Sequence, residues 1–254
     1  MKIAHPEKRG AMFMNRKFYI KILYVFIFTA AFAFVESAVV IYLRHIYYPE
    51  GFHFPIKKHI DLLLYIEVIR EFATLVIMVS ISVLLSKPAR RSQTVSQGKN
   101  PDVADAGGSF WEGFGYFLII FGVWDIFFYI WLKAAINWPA SLFDPDILFL
   151  IPVPWIAPVL APVLISLVMI IIGIDITRLS FLGYTIKPHL TQWIMVLAGS
   201  FIILYSFMND APAMFYEKYP QPYNWFLLVI GLILYITAHS ILHRKIIKEK
   251  PAGN

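Results

Sequence analysis

The chain has 254 residues, 59% hydrophobic and only 15% charged, with a mean hydropathy of +0.67, a net charge of +6 and no cysteine. Soluble domains carry about 25% charged residues, so this balance places the chain in a bilayer. The missing cysteine excludes disulfides, thiolate metal sites, iron–sulfur clusters and cysteine nucleophiles. The basic residues flank apolar runs, a pattern of membrane topology and not of nucleic-acid binding.

A helical span needs about 20 apolar residues. Six such segments are read, at approximately 18–43, 60–85, 112–133, 156–174, 190–208 and 223–243. The fold expected is an all-α polytopic membrane protein forming a single bundle over 1–254. Sixteen lysines and arginines fall in the even loops and at the termini, against five on the other side: Arg44, Lys57, Lys58, Lys133 and Lys218. The positive-inside rule then puts both termini in the cytoplasm, with a prokaryotic plasma membrane as the expected location. The basic stretch before the first run imitates a secretory signal. The apolar run continues to Leu43, beyond the 7–15 residues typical of a signal, so a retained span is expected.

The first span carries Glu36 on a face with Thr29, Val40, Leu43 and Tyr47. His45, His53 and His59 follow in or beside the first outer loop, where exposed histidines are expected. The second span carries Glu67, Arg70 and Glu71, and i, i+3 and i+4 spacing gathers them on one face with Thr74 and Met78. Residues 86–110 are polar and read as a flexible cytoplasmic linker. In the third span Gly122, Asp125 and Tyr129 align, and Gly113, Gly115 and Gly122 permit close helix approach.

The loop 138–156 and the later loop 209–225 are rich in proline, aromatic and acidic residues. They read as ordered outer surfaces, available to a membrane-protein partner. Trp111, Trp131, Trp138, Trp155, Trp193 and Trp225 fall near span ends, as an interfacial belt does. Residues 147–174 form an apolar run too long for one upright helix, punctuated in its outer part by Pro152, Pro154, Pro158 and Pro162. Proline removes an N–H and frees the carbonyl four residues back. A partly irregular outer segment before span 4, lining a cavity, is weighed equally with a Pro-kinked helix start. In the last span His239 and His243 stand four apart, a spacing able to hold a metal, although packing histidines are the more common outcome.

Ionisable groups inside spans are expensive and are functional candidates by default. Glu36, Glu67, Glu71 and Asp125 all fall between the midplane and the outer face, with Arg70 the one cation among them. Ionised together, the five carry −3, which calls for protons or a bound cation. Glu36, Glu67, Glu71 and Asp125 are therefore candidate metal or cation ligands. Arg70 balances charge, and Tyr129 is a supporting hydrogen-bond donor. Carboxylates and carbonyls suit hard divalent cations, and an added histidine extends the set to borderline metals. An interhelical ion-pair network is the competing explanation.

The chain has no phosphate-binding loop or dinucleotide fingerprint, no H-E-x-x-H and no G-x-S-x-G, so no nucleotide cofactor is expected and no reaction is assigned. Three functions remain. The first is a cation- or metal-binding carboxylate site, with catalysis as an extension. The second is a proton- or cation-coupled small-solute transporter, against which stand the lack of internal repeats and of an inner acid relay. The third is a non-catalytic subunit or assembly factor of a membrane complex.

Overall fold

The computed structural model describes residues 6–56, 62–86 and 106–248; the side chains described begin at Arg16 and, in the third helix, at Phe110. Six helices are long and apolar enough to cross a membrane, as in an all-α multi-pass membrane protein. They are α1 (Pro6–Tyr47), α2 (Leu62–Leu85), α3 (Ala106–Ile136), α4 (Leu160–Phe181), α5 (Leu190–Met208) and, after the short α6 (Pro212–Phe215), α7 (Trp225–Lys248). Large apolar side chains are exposed along all six, the pattern expected of helices facing lipid.

Several sequence boundaries move. Most of the expected linker 86–110 lies outside the described residues, and its last five residues are instead the start of α3. Arg44, read as an outer-loop charge, belongs to α1 and is buried. The fourth span starts four residues later than expected and ends seven later.

The segment before α4 is a β-hairpin, β1 (Pro145–Phe149) and β2 (Trp155–Pro158), which departs from an all-helical chain. The prolines account for it. A residue preceding proline is pushed out of the α region, which bars a helix over 151–157. Pro162 sits in the first turn of α4, where a missing N–H is harmless. Asp146 faces Ala157 and Ile147 faces Ile156, with a bulge before Phe149 pairs with Trp155. Val159 N–H bonds to Asp144 O (3.1 Å) and Leu160 N–H to Leu142 O (2.8 Å), fastening the ribbon to the start of α4.

α3 is the central helix, packing on α4, α1 and α2, while α5 pairs with α7. Small residues set the α3–α4 distance. A Cβ on Gly122 would lie 2.6 Å from Ser166 O, and one on Gly115 would collide with Thr177 Oγ1. Ser37 Oγ donates to Phe128 O (3.1 Å) and Trp131 Nε1 to Ala30 O (2.9 Å), tying α1 to α3. The main core cluster joins Val25, Ala33, Met78, Tyr116, Ile120 and Phe149 from α1, α2, α3 and β1. α4 ends where Gly183 takes φ +83°, a left-handed cap that returns Tyr184 N–H to Leu179 O.

Candidate functional site

Glu36, Glu67, Arg70, Glu71, Asp125 and Tyr129 all line one cavity of about 60 Å³. Its other walls come from Val40, Arg44, Thr74, Trp124, Phe128 and the β1 residues Ile147, Leu148 and Phe149. The cavity lies at the hairpin end of the bundle, between the second half of α1, the first half of α2, the second half of α3 and β1. Part of each stripe read from the sequence thus meets in a single space, whereas Thr29, Leu43, Tyr47, Met78 and Gly122 do not line it.

Each acid is held differently. Arg70 forks onto Glu67, with Nε donating to Oε2 at 2.7 Å and Nη2 to Oε1. Its Nη1 pairs with Glu36 Oε1. Thr74 Oγ1 reaches Glu36 Oε2 at 3.4 Å. One guanidinium therefore bridges α1 and α2 through two carboxylates, a geometry that its planar fork permits and an ammonium does not. Glu71 Oε2 accepts the backbone N–H of Leu150 at 3.0 Å, which pins the hairpin to α2. Asp125 Oδ2 accepts Ser166 Oγ–H at 2.8 Å, linking α3 to α4. Among the described residues neither Glu71 nor Asp125 has an ion pair.

Two participants were not read from the sequence as site residues. Arg44 Nη2 donates to Asp146 Oδ1 at 2.8 Å, and both side chains are buried. The Arg44 guanidinium lies 3.7 Å from the Trp138 ring centroid and 4.1 Å from that of Phe52, so two aromatic faces enclose it. Trp138, expected in an interfacial belt, is part of this clamp. Arg44 Nη1 is buried and has no hydrogen-bond partner among the described residues. Tyr129 is buried, with Asp146, Asp125 and Arg44 as the charged groups around its hydroxyl. Five carboxylates thus face two guanidiniums, a formal −3 if all ionise. The signal for Arg44 was its place eight residues after Glu36, on the polar side of the same helix.

These carboxylates are not a ready-made ligand cage. Among the described residues no three of them bring oxygens within 4.8 Å of one another. His45 and His53 do not line the cavity, and His59 lies outside the described residues. The loops 138–156 and 209–225 meet around a separate basin of about 720 Å³, whose wall includes Trp138, Phe143, Tyr219, Pro222 and His53. No known protein family, curated protein or solved structure matches the chain.

Proposed function

We propose that this is an integral membrane protein, with both termini cytoplasmic, whose outer-half carboxylate cavity takes up a small cation. The carrying observation is that Glu71 and Asp125 line the same cavity with no ion pair among the described residues, beside acids that already share Arg70. A carboxylate removed from water without a counter-charge is strongly destabilised, and a cation or a proton supplies what is missing. The cavity is small, about 60 Å³, with room for an ion that keeps part of its water. Oxygen donors favour Na⁺, Mg²⁺, Ca²⁺ or Mn²⁺.

Cation-coupled transport is the second reading, and one observation favours it. Asp125 lines both this cavity and a neighbouring cleft of about 220 Å³ that reaches Ser200 and Tyr235 in the α5–α7 half. A carboxylate shared by two spaces can hand its ion from one to the other.

The test is elemental analysis and cation-dependent thermal shift on detergent-purified protein, wild type beside Glu71→Gln/Asp125→Asn. About one ion per chain, lost in the double variant, is expected. Binding at 100 times Kd stabilises by about 2.7 kcal/mol, so the melting temperature rises with the ion in wild type alone. Wild-type protein that neither retains nor responds to any of the four ions sinks the cation reading.

A further inference from the structure

A second polar cluster lies at the opposite end of the bundle and shares no residue with the carboxylate cavity. Asp175 on α4 faces His239 and His243 on α7. His239 Nε2 lies 3.1 Å, and His243 Nδ1 2.6 Å, from the same carboxylate oxygen, Asp175 Oδ2. The three donor atoms fall within 4.8 Å of one another, and among the described residues this is the one His/Asp/Glu group of three that does so. Spacing of four residues puts both imidazoles on one face of α7, and α4 packs beside that helix. The two rings stand 6.0 Å apart at 52°, so their nitrogens approach Asp175 from different directions.

Two imidazoles and one carboxylate are the donor set of a borderline first-row metal, and three protein ligands leave coordination positions open. Bonds of about 2.0–2.2 Å to the metal place neighbouring donor atoms about 3–3.5 Å apart. His239 already stands at that separation from Asp175, and His243 reaches it with a movement of about half an ångström. The side chains are 17–35% exposed, so the cluster is not sealed inside the bundle. His239 also lines a cleft of about 290 Å³ with a mainly apolar and aromatic wall, in which Gln192, Ser200 and Tyr235 are polar. The cleft gives open positions on the metal a space to face.

We propose that Asp175, His239 and His243 bind a divalent first-row transition metal of the zinc, cobalt or iron(II) class, with its open positions toward the cleft. This site is independent of the cation cavity, because its nitrogen donors select borderline metals over the hard ions that an all-oxygen cavity prefers.

Tag-free, full-length protein is stripped with chelator in detergent and titrated with Co²⁺. About one Co²⁺ per chain is expected, with visible d–d absorption, displacement by Zn²⁺ and at least tenfold weaker binding in His239→Ala or His243→Ala. Glu71→Gln/Asp125→Asn keeps the Co²⁺ spectrum, which separates this site from the proposed cation cavity. The chain has no cysteine, so His243→Cys adds a unique thiolate. A sulfur-to-cobalt charge-transfer band then reports directly whether position 243 is a ligand, even if the alanine variants fail to fold. Folded wild-type protein without a saturable Co²⁺ spectrum, or a His243→Cys protein that binds Co²⁺ without the thiolate band, overturns the site and leaves a carboxylate hydrogen-bonded by two imidazoles.

Discussion

At the hairpin end, Arg44 and Arg70 meet five carboxylates around a cavity of about 60 Å³; at the opposite end Asp175 meets two imidazoles beside a cleft of about 290 Å³. Guanidiniums keep their charge at any physiological pH and cannot ligate a metal. They fix the first site as a structural frame with surplus negative charge inside it. Imidazoles can be neutral donors, so the second site is a ligand set with no permanent cation in it. Depth of burial follows the same division in part. Arg44 and Asp146 are almost fully enclosed, whereas Arg70 is about as exposed as Asp175 and His243 is more open still. Opposite-charge pairing is how Arg44 and Asp146 tolerate burial, whereas Glu71 and Asp125 are left to hydrogen bonds.

The sharpest way to break this comparison is to remove the frame. Arg70→Leu leaves the buried Glu36 and the half-buried Glu67 without their cation and is expected to cost about 3–5 kcal/mol in detergent unfolding. Adding Glu36→Gln and Glu67→Gln to that variant recovers most of the loss. An Arg70→Leu protein as stable as wild type would show that the network is not holding the helices. Arg44 and Asp146 allow a cleaner cycle. Each single change to Leu is expected to cost about 3 kcal/mol, and the double change markedly less than the sum of the two. Additive losses would mean that the pair does not act as a unit.

Packing tests follow at smaller size. Gly122→Val pushes side-chain atoms into Ser166 O, where even a Cβ would come within 2.6 Å, and about 1–3 kcal/mol of destabilisation is expected. Unchanged thermal unfolding of that variant would remove the close α3–α4 contact from the account. Ser166→Ala deletes one hydrogen bond to Asp125 and should cost about 1–2 kcal/mol. It should weaken cation binding at the hairpin end while leaving the Co²⁺ titration untouched. An effect on both ends would show that α4 transmits between them.

The sequence made the six spans legible because apolar runs of membrane length have few other uses. It also made Glu36, Glu67, Glu71 and Asp125 visible, since a charge inside such a run stands out. Two of the residues it hid, Arg44 and Asp175, share one physical cause. The first run was read as ending at Leu43, one residue short of Arg44, and the fourth as ending at residue 174, one short of Asp175. A charged residue near a helix end ends the apolar run there, although its partner across the bundle (Asp146 in one case, His239 and His243 in the other) lets the helix continue. Polar residues that find tertiary partners therefore shorten the span that a hydropathy reading assigns. Asp146 was hidden for a different reason. Its segment reads as a proline-rich loop, and the β-pairing that turns it inward depends on a register between residues about ten apart.

The hairpin also fixes an order of assembly. A lone two-stranded ribbon is marginal in water, and its open edges have no place in lipid. Here β2 rests against α5, with Trp155 stacked on Phe207 and Tyr223 continuing the stack. The ribosome therefore releases Glu36, Glu67, Arg70, Glu71 and Asp125 well before it makes the residues that hold their closing wall in place. A chain that ends before Phe207 keeps the Arg44–Asp146 and Glu71–Leu150 ties to the hairpin but lacks the α5 surface on which β2 rests.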